Sequence, residues 1–346
     1  MEKISSVLEN ADPFKTWWPT IAAVIVGIIV TIRSLMGGQR CPNDNQIKDR
    51  IAIITGSNSG VGYQIAKALA ARGGRVILAC RNMEAADKAV ATIKRKLNNA
   101  NSNEDESNSK HKLFVEARYL DLRSLDSVCR FARKILAEFE RVDILINNAG
   151  VIFDKTGFKT VDGFEQHLQI NYLSHFLLTH LLIPHLQKSF MGRVINVSSH
   201  AHASAKMDID DPLHLGTYAS KFHARDAFAH SKLAVLLSTR SLAKALKGTS
   251  VTVNCCTPGL VRGTSHLKNS PLMSAFCIKV MTFPWMWLFM KNPFEGAQCA
   301  VYLATDQQLK DISGEYFKCD GALPLKFDKR LQYYSILRTW SEYGTS

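Results

Sequence analysis

Paired-cysteine motifs are absent from this chain of 346 residues: none of its eight cysteines stands at CxxC spacing from another. The adjacent Cys255 and Cys256 fall inside an apolar strand pattern, so the cysteines read as buried, reduced thiols of a cytosol-facing domain. A long basic run is missing too, as is any basic stripe interleaved with aromatics. The excess of 43 Lys and Arg over 30 Asp and Glu, a net charge of +13, is scattered. It permits an anionic membrane surface or a phosphorylated cofactor as partner but gives no nucleic-acid footprint. No internal repeat is found. With 46% hydrophobic and 21% charged residues, the composition excludes a chain disordered throughout and a collagen-like repeat. The length is enough to bury a real core without disulfides.

Charge is also absent between Thr16 and Ile32, and Trp17 and Trp18 open that run. This predicts a transmembrane anchor over 16–36, after an N-terminal segment 1–15 and before a linker 37–48. Glu2, Glu9 and Asp12 ahead of the run argue against a cleaved signal peptide. Lys3 and Lys15 precede it, whereas Arg33, Arg40, Lys48 and Arg50 follow; that bias places the C-terminal side in the cytosol. Residues 98–112, rich in Asn, Ser and Glu, read as a solvated, mobile surface loop. An apolar stretch at 271–290 is interrupted by Lys279 and Pro284. It reads as a substrate lid, a membrane-contact segment or a plain core helix. Residues 326–346 form a C-terminal tail.

Between 49 and 325, short runs rich in Val, Ile and Leu at 51–55, 76–80, 116–121, 142–146, 194–198 and 251–256 are too brief for helices and suggest buried parallel strands. Helical patterns at 63–72, 125–139, 164–187 and 225–247 alternate with them. The expected fold is therefore α/β: one Rossmann-type domain with a doubly wound parallel sheet, its ligand at the carboxyl ends of the strands.

The first strand runs into Thr55, Gly56, Ser57, Asn58, Ser59, Gly60, Val61 and Gly62, and a helical pattern follows. Glycines there let the backbone turn sharply and approach a pyrophosphate, which the helix N-terminus then receives. The second strand ends without the carboxylate that would read the ribose hydroxyls of NAD; Arg81 stands there instead. A guanidinium at that place pairs with a 2′-phosphate, so NADP(H) is the expected cofactor. Asp121 closes an apolar strand, where it faces the cofactor crevice or caps a helix.

These motifs, with Asp121-Leu122, Asn147-Asn148-Ala149-Gly150, Asn171, Val197-Ser198-Ser199, Ser231-Lys232 and Pro258-Gly259, give residues 48–325 a resemblance to the short-chain dehydrogenase/reductase superfamily, and within it to the membrane-anchored retinol dehydrogenases. The resemblance implies that Asp121 and Leu122 lie beside the adenine. It sets Asn148 near the cofactor ribose, and Pro258 and Gly259 on the nicotinamide side. It implies an apolar small-molecule substrate and pairing of two copies through long helices. It also implies residence in the endoplasmic reticulum, with the lipid droplet or the mitochondrial outer membrane as alternatives.

In that family a Tyr four residues before a Lys donates the proton to the carbonyl oxygen. The Lys holds the nicotinamide ribose and lowers the Tyr pKa, a Ser holds the substrate oxygen, and an Asn anchors a water. Here Lys232, Ser199 and Asn171 match, but position 228 is Phe. Losing a general acid costs about 10²–10⁴ in rate. Tyr218, three residues before Lys221, is one candidate substitute, and His223 and His230 are others. His200 and His202 have metal-like spacing but no third ligand nearby, so no metal is expected. Two readings stay open. One is an NADP(H)-dependent oxidoreductase acting on an apolar alcohol or carbonyl. The other is a pseudoenzyme that binds NADP(H) and serves as a membrane scaffold or sensor.

Overall fold

A computed structural model describes residues 18–36, 40–101, 113–152, 159–205, 224–262 and 285–318. Helix α1 (Trp18–Met36) comes first. There follow β1 (Ile51–Thr55), α2 (Gly60–Ala71), β2 (Arg75–Cys80), α3 (Met83–Asn101), β3 (Val115–Tyr119), α4 (Leu125–Glu138) and β4 (Ile144–Asn147). Then come α5 (Ser174–Gln187), β5 (Gly192–Val197), α6 (Ala224–Ala245), β6 (Val251–Thr257), α7 (Pro293–Thr305) and β7 (Tyr316–Lys318).

The seven strands form one sheet in the order β3-β2-β1-β4-β5-β6-β7, and every pairing is parallel. The strands are apolar at consecutive positions because both faces are covered. Ala52 and Ile54 of β1 join the cluster under α2, α3 and α7, whereas Ile51 and Ile53 join the one under α4 and α5. The chain order reverses between β1 and β4, and a ligand crevice opens at the carboxyl ends of strands at such a point.

Four sequence expectations change. The helix expected over 164–187 is broken: an α turn at Gln166–Leu168 leads into a π-helical turn at Gln169–Leu173, and α5 follows. The extra residue per turn falls on Asn171, and π turns of this kind mark functional positions. The loop expected at 98–112 starts later, since α3 continues to Asn101; its remainder lies outside the described residues. The three-residue strand β7 had no periodic signal.

The fourth change concerns the membrane anchor. Helix α1 forms, with Ile21, Val24, Ile25, Val26, Ile28 and Val30 at least half exposed, but among the described residues no helix is long and apolar enough to cross a membrane. The uncharged part of α1, residues 18–32, rises only about 22 Å at 1.5 Å per residue, against about 30 Å of bilayer hydrocarbon. It ends at Arg33, which pairs with Glu295 at the start of α7 (2.5 Å) and lies over the Trp287 ring. Of the stretch 271–290, residues 285–289 are helical, with Trp285 and Trp287 exposed; the preceding residues lie outside the described set.

Candidate active site

A cleft of about 500 Å³ opens at the carboxyl ends of β1, β2, β4 and β5. One end of it is the β1–α2 turn. Gly56 has φ +63°, and a Cβ there would stand 2.8 Å from the Ala149 Cβ; a Cβ on Gly62 would stand 2.5 Å from Asn148 Nδ2 and 2.6 Å from the Gly56 carbonyl. Side chains are excluded at both positions, so the backbone itself forms the wall. Ser59 precedes α2 and makes no side-chain cap bond to it, leaving the first N–H groups of the helix open to an anion. Asn58, Ser59, Gly60 and Val61 line the cleft. Ser57 does not: it is buried, and its hydroxyl donates to the Ile54 carbonyl (2.8 Å) to brace the turn.

Arg81 is exposed at the cleft edge. Among the described acidic groups none pairs with it, which fits a phosphate on the adenosine ribose. Asp121 and Leu122 line the same end. Asp121 does not cap α4; that role belongs to Ser124. Its carboxylate instead accepts from the Arg123 N–H (3.0 Å) and guanidinium (3.3 Å). Arg123 itself lines the cleft, and its exposed, aperiodic position gave no sequence signal.

At the far end Ser199, Phe228, Lys232, Pro258 and Gly259 converge. The Lys232 ammonium donates to the Val197 carbonyl (2.9 Å) and stands 5.9 Å from the centre of the Phe228 ring. Burial pushes its pKa down to about 8, because the charged form loses water. Asn171 lies behind the cleft. Its carbonyl oxygen accepts from the Val151 N–H (2.8 Å), and its amide donates to the Val151 carbonyl (3.1 Å) and the Ser231 hydroxyl (2.9 Å). It thereby ties the loop after β4 to α6. His202 has a ring nitrogen 2.6 Å from the Ser199 carbonyl, and its ring meets Tyr316 edge-on. His230 is buried. Tyr218 and His223 lie outside the described residues.

Sequence reading missed the joint between the two ends. Thr55 Oγ1 accepts from the N–H groups of Asn148 (3.0 Å) and Ala149 (2.9 Å). Both lone pairs are then occupied, so its proton points to His175 Nε2 at 2.9 Å rather than to the Ile146 carbonyl at 3.5 Å. His175 is consequently the Nδ1–H tautomer and donates to the Asn171 carbonyl (3.2 Å). Burial drives its pKa to about 3, so the neutral ring is fixed. His167 was missed as well. It is fully buried, with Nδ1 2.7 Å from Glu165 and its ring edge-on to Phe228. Its place four residues before Asn171, hence on the same face of a helix, was the available signal.

Comparison with known proteins agrees with this geometry. The profile of the short chain dehydrogenase family matches residues 50–208. Human (Homo sapiens) retinol dehydrogenase 13 is 40% identical over 293 residues, spanning 85% of this chain and 83% of that one. Retinol dehydrogenase 12 of Bos taurus is 40% identical over 290 residues, 84% of each chain. Among solved structures, a short chain dehydrogenase of Escherichia coli CFT073 complexed with NADPH superposes with a TM-score of 0.61 at 22% identity, covering 81% of this chain and 100% of that one. The chain belongs to the short chain dehydrogenase family and is related to the retinol dehydrogenases.

Proposed function

We propose that the protein is an NADP(H)-dependent oxidoreductase that interconverts an apolar, retinoid- or lipid-like alcohol and its carbonyl. The observation that carries this is the cleft itself. An anion-ready helix end and Arg81, unpaired among the described acidic groups, stand at one side, and Ser199 and the partly desolvated Lys232 at the other. The bound NADPH of the bacterial structural neighbour and the retinol dehydrogenases among the relatives support the choice of cofactor and substrate class.

The α2 N-terminus and Gly56–Gly62 hold the pyrophosphate, Arg81 the 2′-phosphate, and Asp121, Leu122 and Asn148 the adenosine half. Pro258 and Gly259 flank the nicotinamide, which supplies or accepts hydride when bound. Ser199 holds the substrate oxygen. Lys232, with its ammonium fixed on the Val197 carbonyl, holds the nicotinamide ribose and makes the site more positive as the alkoxide develops. Asn171 keeps α6 in register with the loop after β4.

The protein meets its substrate at a membrane, with α1 laying its exposed apolar side into the surface and the dehydrogenase domain in the cytosol. The endoplasmic reticulum is the proposed site, with the lipid droplet and the mitochondrial outer membrane as the alternatives to be separated by localisation. Two copies pair through α5 and α6.

Phe228 favours a second reading, that of a nucleotide-binding scaffold or sensor, since a phenyl ring donates no proton. Oxidation of NADPH by the full-length protein, with all-trans-retinal or a long-chain aldehyde, separates the two. Turnover by the natural chain supports the enzyme. Turnover confined to Phe228→Tyr supports the scaffold.

A further inference from the structure

We propose that Arg123 is a specificity-determining residue for the cofactor: by neutralising the carboxylate of Asp121 it lets the cleft accept the 2′-phosphate of NADP(H). The proposal rests on the reading that seats the adenosine half of the cofactor between Arg81 and Asp121. It concerns binding alone, so it holds for an enzyme and for a scaffold.

The two strand ends concerned are neighbours. β2 and β3 pair in parallel with Cys80 opposite Tyr119, and the Leu120 N–H donates to the Cys80 carbonyl (3.0 Å). Arg81 therefore leaves β2 beside the point where Leu120, Asp121, Leu122 and Arg123 leave β3, and all five line the cleft. Among the described lining residues Asp121 is the one acid, against the cations Arg81, Arg123 and Lys232.

That carboxylate works against a phosphorylated ligand. In a site for NAD, a carboxylate at the end of the second strand reads the free ribose hydroxyls, and like-charge repulsion keeps a phosphate away from it. Here the end of β2 carries Arg81, and the acid stands one strand over. A phosphate monoester adds about −1.5 to −2 charge at pH 7, so Asp121 left to itself would oppose the attraction of Arg81.

The turn after β3 supplies the compensation. The Asp121 N–H donates to the Ser127 hydroxyl (3.1 Å), and the Asp121 carbonyl accepts from the Ser124 N–H (3.2 Å); both bonds tie the residue to the start of α4. Asp121 Oδ1 accepts from the Arg123 N–H (3.0 Å), an Asx turn that folds the chain back on the carboxylate. The guanidinium then meets both carboxylate oxygens, with Nε 3.4 Å from Oδ1 and Nη2 3.3 Å from Oδ2. The Asp121 side chain is 15% exposed and that of Arg123 47%, so the acid is held inward and the cation covers it. Contacts of this length suffice to cancel the charge, because Coulomb attraction falls only as the inverse of distance. With Asp121 neutralised, Arg81 carries the net charge of this end.

The test measures dissociation constants of NADPH and NADH by isothermal titration. It uses the full-length natural protein, Arg123→Ala, Arg123→Lys, Asp121→Asn and the double variant of Asp121→Asn with Arg123→Ala. The quantity read is the preference, the NADH constant divided by the NADPH constant, and the thermal midpoint serves as the folding control. Asparagine keeps an oxygen for the Arg123 N–H, so the turn persists without the charge. Arg123→Ala should lower the preference about fivefold, through weaker NADPH binding. Arg123→Lys, which keeps the charge, should lower it less than about twofold. In the Asp121→Asn background, with no carboxylate to neutralise, Arg123→Ala should also lower it less than about twofold. Equal loss in both backgrounds overturns the proposal, since Arg123 would then act on the phosphate itself. An unchanged preference in Arg123→Ala, or one lowered as far by Arg123→Lys, overturns it too. Failure of the underlying reading looks different: neither Arg81→Ala nor Arg123→Ala then changes the preference. A preference that falls with Arg81→Ala and not with Arg123→Ala keeps that reading and removes Arg123 from it.

Discussion

The two ends of the cleft are built by different means. At the β1–α2 end the wall is backbone: Gly56 and Gly62 leave no room for a side chain, and Ser59 makes no side-chain cap bond to the first N–H groups of α2. At the other end the wall is side chain: Ser199, Lys232 and Phe228 line it from beside β5 and from α6, with the His167 ring against Phe228. A backbone site is hard to disarm by one substitution unless atoms are added, whereas a side-chain site depends on single oxygens and nitrogens. A change of one side chain at 228 therefore leaves the backbone geometry of the other end in place.

Adding atoms at the backbone end should produce the largest effect. Gly62→Val places a side chain against Asn148 and the Gly56 carbonyl and should weaken NADPH at least about 100-fold by isothermal titration, as overpacking costs about 1–3 kcal/mol before any contact with the ligand is lost. Unchanged affinity would mean that the turn is not the phosphate site.

Acid should act on both ends together, because His175 joins them through Thr55 and the Asn171 carbonyl. Its folded pKa of about 3 lies below the unfolded value of about 6.5. Between these pH values the unfolded chain binds the extra proton, so stability is full above about 6.5 and falls as pH drops, by about 1.4 kcal/mol per unit from this group. Urea melts at pH 7 and 5.5 measure the drop. His175→Asn, which has no proton to gain there, should flatten it.

Arg81→Ala sharpens the comparison from the exposed rim. Loss of a charge-assisted contact to the 2′-phosphate should reduce the preference for NADPH over NADH about tenfold, read as a ratio of dissociation constants. Equal weakening of both nucleotides would sink the 2′-phosphate assignment. The smallest effect belongs to Arg33→Ala. The Arg33–Glu295 pair is only partly buried and should contribute no more than about 1 kcal/mol, a shift of about 2–4 °C in the thermal midpoint.

How much of this was legible follows the same division. The β1–α2 turn was readable because glycine spacing and the strand before it are adjacent in the chain, and Arg81 because it ends the next strand. The Lys232 and Phe228 pair was readable because one helical turn separates them. Asn171 could be placed by its motif, but not the π turn that carries it, since 3.6-residue periodicity cannot register one extra residue. The α1 span was over-read: an uncharged run says that a helix forms, while the engagement of Arg33 with Glu295 and Trp287 depends on residues more than two hundred and fifty positions away.

By itself the sequence determined the alternation of strand and helix, the glycine-rich turn after β1, and the Phe at 228, for each is a property of neighbouring residues and their covalent chemistry. Only the tertiary structure decided that Thr55 and His175, 120 positions apart, share one proton. Only the tertiary structure, likewise, set the ring of His167 against that of Phe228. Such contacts form when elements distant in the chain pack to bury apolar surface, and the direction of a buried hydrogen bond is then fixed by which lone pairs that packing leaves open.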